Sequence, residues 1–324
     1  MLLRFNFLCV PLIAILLGAC TDGANGSAGP SVAVSADAAP SVAATASGGT
    51  VVGIIEAGQR PCALVPAPAG DVWVTLWGGS VVHIGPDGVV MDRIDVGGTP
   101  CGIAVAAGWL WVALFRENEL LQIDPESGQV ARRVAVAGNP YDLKATDDAV
   151  WVTDRTNVLL RLDPTTGDTL AEVRMPSPPA GLSLFAGSVW VAHQQTDTVS
   201  RIDAQTGEIV ATIATGDRPT WFAEGEGSVW IACDRGGVIQ RIDPGTNTVV
   251  ATIETDRGPN DATVGHAAVW VPTKLGGTVQ RIDPATNRVT ATIPLARGLG
   301  VAEPVGDEIW VLNFNGPEIF RVRP

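Results

Sequence analysis

Beyond residue 50 the chain breaks into short apolar runs separated by clusters of Gly, Pro, Asp and Asn. Seven tryptophans set the rhythm: Trp73, Trp111, Trp151, Trp190, Trp230, Trp270 and Trp310, spaced by 38 to 40 residues. A period this regular points to a repeat architecture. The fifth unit shows its four parts: Pro219–Ala223, Val229–Ala232, Val238–Asp243 and Thr248–Ile253. Each part is short, rich in β-branched residues and bounded by turn formers, so each predicts a strand. Four strands per repeat predict a propeller blade.

The punctuation excludes helical repeats. Asp163-Pro164-Thr165-Thr166-Gly167, Asp243-Pro244-Gly245-Thr246-Asn247 and Asp283-Pro284-Ala285-Thr286-Asn287 interrupt the third, fifth and sixth units. Proline after Asp fixes the φ of a type I turn, and the closing Gly or Asn accepts the left-handed conformation of a bulged hairpin. The Val-Trp-Val segment is bulky on both faces, as expected of a strand packed between two neighbouring blades, and this places the tryptophans in inter-blade packing. The last unit stops after its third strand at Ile319–Val322, while Thr50–Ile55 is a spare strand matching Thr248–Ile253. Pairing the two closes the ring. The expected fold is all-β: a seven-bladed β-propeller of four-stranded blades over residues 50–324, closed by an N-terminal strand completing the last blade.

The Val-Trp-Val, Arg-Ile-Asp-Pro-x-Thr-Asn and Val-x-Ala-Thr-Ile elements resemble the YVTN-type, YncE-like β-propeller repeat proteins of bacteria over essentially all of residues 50–324. The first repeat departs from that pattern, with His83-Ile84-Gly85-Pro86-Asp87-Gly88 in place of the Asp-Pro turn. The resemblance implies the fold and a surface or periplasmic setting, and it says little about activity.

The first nineteen residues differ from the rest. Arg4 precedes an apolar run from Phe5 to Ala19, too short for a comfortable membrane span and typical in length of a secretory signal. Leu17-Gly18-Ala19-Cys20 resembles the bacterial lipobox, which implies a signal peptide over residues 1–19 and lipidation at Cys20. Residues 20–49, built from Ala, Gly, Ser, Thr and Pro, read as a flexible tether. The expected localisation is exported, as a cell-membrane or outer-membrane lipoprotein with the propeller facing the periplasm or the cell exterior.

Charge narrows the partners. The chain of 324 residues has 34 acidic and 21 basic side chains, a formal charge of −13, and only two lysines, Lys144 and Lys274. Phosphate-coating proteins need a basic surface, so no nucleic-acid partner is expected, even though YncE-like relatives have been connected with DNA. Arg161, Arg201, Arg241, Arg281 and Arg321 recur once per unit in the third strand, each but the last followed two residues on by Asp, and read as surface pairing between blades.

Candidate chemistry gathers where the loops leading into the inner strands and those joining second to third strands share one face, the top. From these loops we select Asp142, Asp154, His193, Trp221, Asp234, Arg235, Asn260, Asp261 and Asn313 as ligand-binding candidates, because they vary while their frame stays fixed. Cys62 and Cys101, at equivalent places in adjacent units, are a candidate disulfide. Cys233 is left as a free thiol. The reading favoured by the sequence is a monomeric, non-enzymatic scaffold, membrane-held through its lipid, that binds a protein, peptide or small molecule and carries no cofactor, metal or catalytic residue. The alternative is a lyase or lactone hydrolase. Its streptogramin-lyase form implies histidines, a carboxylate and magnesium, and of three histidines only His193 is expected to reach the top. Its lactonase form would use Asp142, Asn260 and Asp261 as oxygen ligands around a divalent ion.

Overall fold

In the computed structural model, residues 48–67 and 70–324 are described. Among them every regular element is a strand, β1 to β28 in chain order. They form seven four-stranded antiparallel sheets. Six blades are consecutive hairpins. The seventh orders as β26-β27-β28-β1, with β1 (Thr50–Glu56) running along β28 (Glu318–Arg323). Thr50 lies opposite Arg323, and Glu56 opposite Glu318. The spare N-terminal strand thus supplies the missing outer strand, and no blade keeps an open face. The expected signal segment, Cys20 and most of the expected tether fall outside the described residues. Among those described, no helix is long and apolar enough to cross a membrane.

The core lies between blades. Each second strand is buried on both faces, and Trp111, Trp190, Trp230 and Trp270 have no exposed surface. Apolar clusters join consecutive blades, as where Trp230 and Ile253 pack with Val271 and Ile282. Burying one such side chain is worth about 1.5–3 kcal/mol, which makes these interfaces the main source of stability. Turn chemistry follows the expected pattern. Asp163, Asp203, Asp243 and Asp283 accept bonds from backbone N–H groups two residues on, and Asn247 and Asn287 take φ of 56° and 54°. The N–H groups hold the carboxyls of Asp163, Asp203 and Asp283 below their usual range.

The arginine stripe pairs in an unexpected way. Opposite five of the seven repeat tryptophans stands Arg161, Arg201, Arg241, Arg281 or Arg321, and each guanidinium lies 4.8–6.0 Å from the indole centre, while Gln122 faces Trp111. Three of them reach the next blade by donating to backbone carbonyls rather than to carboxylates: Arg201 to Pro244, Arg241 to Pro284, and Arg321 to Asp87. In the departing first repeat, His83 stacks on Trp73 at 4.2 Å and bonds Asp71, so the imidazole does the arginine's stacking there.

Candidate functional site

The site begins with a bulge that recurs in the inner strands. In β10 (Pro140–Thr146), Pro140 pairs with Asp154 and Leu143 with Val152, and the two residues between, Tyr141 and Asp142, stand out of the ladder. Cys62–Ala63, Cys101–Gly102, Thr220–Trp221 and Gly300–Val301 stand out in the same way. Bulges re-aim side chains and free backbone groups that need partners. Buried threonines of the second strands supply them. Thr75 Oγ1 accepts from Ala63 N–H and donates to the Cys101 carbonyl; Thr153 Oγ1 accepts from Asp142 N–H and donates to the Ala180 carbonyl. The turns bring blades so close that a Cβ on Gly102 would meet the Tyr141 carbonyl at 2.8 Å.

Bulge residues line two cavities on the axis. The upper, of about 330 Å³, opens at the top and is bounded by Trp77, Tyr141, Trp221 and Phe314 with Arg60, Arg155, Arg218 and Lys274. Trp77, Phe115, Tyr141 and Trp221 form a continuous aromatic chain with ring centres 5.6–6.1 Å apart. Beneath lies a chamber of about 50 Å³ lined by Asp142, Lys144, Asp261 and Glu303 among apolar walls, room for a few waters or one small polar group. Cys62, Cys101, Tyr141 and Trp221 border both cavities and form the neck between them. Cys62 and Cys101 are disulfide-bonded there, with Cα atoms 5.1 Å apart.

Charges in the chamber are strongly coupled. Lys144 Nζ lies 4.0 Å from Glu303 Oε1, bridging blades three and seven. Burial alone would lower the Lys144 pKa, but Glu303, Glu224, Asp142 and Asp261 outweigh it and hold the ammonium charged. Burial raises Asp142, with Lys144 and two backbone N–H groups, of Leu143 and Leu182, opposing. Burial, and then the Glu303 carboxylate, push Asp261 well above the usual carboxylate range, while Lys144 and the Ala302 N–H pull the other way. Glu303 is raised by burial and by Glu224, against Lys144. Carboxyls of raised pKa beside a fixed cation are groups suited to general acid–base work.

That cost to Asp261 is measurable. Its native pKa exceeds its unfolded one, so the native state takes up the extra proton and loses stability as pH rises from about 4 through the raised value. Asp261→Asn, which keeps an acceptor for Ala302 N–H, is expected to raise stability at neutral pH by about 0.5–2 kcal/mol. Thermal melts of both proteins should converge as pH falls toward about 4.

The structure sorts the selected residues. Asp142 and Asp261 meet in the chamber although their blades are three apart, and Trp221, Asp234 and Asn260 line the upper cavity. Arg235 stands at the rim with Gln194, Asp197 and Asp217. Three do not reach a cavity. His193 is fully buried: its Nδ1–H donates to the Ser177 carbonyl, its Nε2 accepts from the Ser200 hydroxyl, and burial lowers its pKa, so it cannot serve as a top-face base. Asp154 is spent on Thr156 and Val158 of its own loop. Asn313 is bonded to Asn315 and Glu318. Among the described residues no three of His, Cys, Asp and Glu are placed to hold a metal ion.

Lys144, Glu224 and Glu303 are missing from the sequence-based selection because they follow the bulge, inside what reads as ordinary strand. A signal exists. Opposite the repeat Trp, the inner strands place Val65, Ala104, Lys144, Ser183, Ala223, Thr263 and Glu303, so only two of seven blades put a charge there.

Comparison with known proteins bears on fold and activity. No curated protein sequence matches the chain significantly. Among solved structures, a WD40 β-propeller domain of Doa1 aligns with a TM-score of 0.74 at 12% identity, covering 85% of this chain and 96% of that one. The dihydro-haem d1 dehydrogenase NirN, solved in complex with DHE, aligns with a TM-score of 0.64 at 17% identity, covering 78% of this chain. The present chain spans 61% of the NirN chain. At these identities the likeness concerns the fold alone. The glutamine cyclotransferase family profile matches residues 90–220, less than half of the chain and including Tyr141, Asp142 and Lys144. That match corrects the expectation of a non-enzymatic binding scaffold, since the family is named for an acyl-transferring enzyme.

Proposed function

We propose that the protein is an acyl-transfer enzyme of the cyclotransferase kind, acting at the axis on peptides with an N-terminal glutamine. The observation that carries this reading is the chamber beneath the aromatic neck, where Lys144 and three carboxyls of raised pKa converge. The substrate's glutaminyl end enters through the upper cavity, and its ammonium is drawn to the acidic chamber. Glu303 takes a proton from the ammonium, and the amine nitrogen so freed attacks the side-chain amide carbon. A C–N bond closes a five-membered lactam, and the Tyr141 hydroxyl donates to the oxyanion. Burial pushes Tyr141 up to about 12, so it stays a neutral donor. The bond from that carbon to the amide nitrogen then breaks as Asp261 hands over its proton. The two protons the ammonium gives up are relayed through Glu303, so the nitrogen departs as ammonium and Asp261 regains its own. Lys144 fixes the charge of the chamber.

The lipobox-like segment at Cys20 and the YVTN-type repeats support an exported, lipid-anchored setting, where a disulfide at the neck persists. The family match favours the enzymatic side of the sequence-based alternatives over the scaffold; the lyase form needs His193 at the surface, and His193 is fully buried.

Incubation of purified protein with a short glutaminyl peptide is expected to release ammonia and yield the lactam, read by mass spectrometry. Tyr141→Phe should lower turnover about tenfold, the worth of one neutral hydrogen bond. Absence of lactam with any glutaminyl peptide would overturn the reading.

A further inference from the structure

Charge polarity along the axis carries an inference about the substrate, and it rests on the cyclotransferase reading. The chain is acidic overall, at −13, yet the upper cavity is lined by Arg60, Arg155, Arg218 and Lys274 against a single carboxylate, Asp234. Asp234 sits 3.8 Å from Arg218. Arg60, Arg155 and Lys274 form no ion pair among the described residues. Two of them are held by aromatic faces instead, Arg60 over Trp77 at 4.9 Å and Arg155 over Tyr141 at 5.2 Å. Stacking orders a guanidinium while leaving its N–H edge free for an anion. Asn260 is 4% exposed, borders the same cavity, and makes a single long side-chain bond of 3.4 Å to the Gly300 carbonyl. A buried amide so sparsely engaged is a polar group awaiting a ligand.

The poles are therefore reversed between mouth and chamber: cations at the mouth, carboxyls below. A ligand matched to both carries its ammonium at one end and an anion a residue or two away. We infer that the preferred substrate is a short zwitterionic peptide, a glutaminyl dipeptide or tripeptide whose free C-terminal carboxylate is gripped at the mouth by Arg155, Arg218 and Arg60. A cavity of about 330 Å³ lies at the small end of ligand pockets and suits such a peptide. Bidentate geometry makes arginine the fitting partner for a terminal carboxylate.

Two measurements test this independently of each other. In turnover, glutaminyl-alanine as the free acid is expected to exceed its C-terminal amide in kcat/KM by about tenfold or more, chiefly through KM, because bonds to a charged group are the strong ones. Added salt and Arg155→Gln should both compress that ratio toward one, and Arg155→Lys should retain part of it. In binding, alanyl-alanine, which cannot cyclise, should bind more tightly than its amide by calorimetry. Equal affinities for acid and amide, or a ratio that Arg155→Gln and salt leave untouched, would overturn the inference. Failure to cyclise any glutaminyl peptide while the acid still binds more tightly would sink the cyclotransferase reading and keep only the carboxylate grip at the mouth.

Discussion

Glu303→Gln is expected to lower kcat on a glutaminyl peptide by about 10²–10⁴-fold, the span of a lost general base. The amide fills the same space and can still accept from Thr263, so folding should be retained. Burial and then Glu224 raise the Glu303 pKa against Lys144, so the carboxylate form appears only above the usual range. The acid limb of kcat/KM in the native enzyme should thus lie above about 4.3, the value of a free glutamate. Asp261 must hold its proton, and loss of that proton sets the alkaline limb. In Glu303→Gln the acid limb should vanish and the alkaline limb remain but move to lower pH, since the Glu303 carboxylate helps to raise Asp261. An unchanged profile would remove Glu303 from the chemistry.

Arg321→Ala should cost about 2–3 kcal/mol, measured by denaturant unfolding, because it takes from a buried carboxylate one of its two arginine partners, leaving Arg323 at 3.1 Å and the Trp310 N–H. Glu308 is 2% exposed, and Arg321 bonds both its oxygens at 2.6 and 3.0 Å. The same guanidinium lies over Trp310 and donates to the carbonyls of Asp87 and Pro86, more than two hundred residues away in blade one. It therefore latches the blade that joins the two ends of the chain. Arg281→Ala is the control. That residue stacks on Trp270 and bonds only Thr290 on its own blade, so its loss should cost about 1 kcal/mol or less. Similar losses for the two variants would refute a special role at the closure.

The wheel was legible because its signals are local and repeated. The tryptophan period, the Asp-Pro turns and the unmatched strand at Thr50 each depend on a few neighbouring residues, and all point to one ring. The upper cavity was partly legible for the same reason: Trp221, Asp234 and Asn260 interrupt a fixed frame. Two misreadings have a common cause. Asp154 and Asn313 look like ligand-facing loop polars, but a carboxylate or amide that closes its own turn is the same residue type at the same place. His193 follows the Val-Trp-Val strand and reads as a loop residue, yet β15 (Ser188–His193) includes it, and Ser200 on the neighbouring strand completes its bonding. The chamber was the least legible part. Lys144 and Glu303 lie 159 positions apart and meet only because seven strands curl about one line.

The bulges also bear on how such a wheel can change over generations. Each leaves two successive residues out of the hydrogen-bonded ladder, facing the hub and supported from behind by threonines or backbone. Exchanging a side chain of such a pair breaks no rung, except at Gly102 and Gly300, where the neighbouring blade leaves no room for a Cβ. In this protein they hold sulfur in two blades, an acid with a phenol in another, and an indole in a fourth. The hub is therefore a set of sockets, and a library randomised at these positions, with Gly102, Gly300 and the Cys62–Cys101 bond kept, should retain folded members at high frequency while exploring ligands that the present protein does not take.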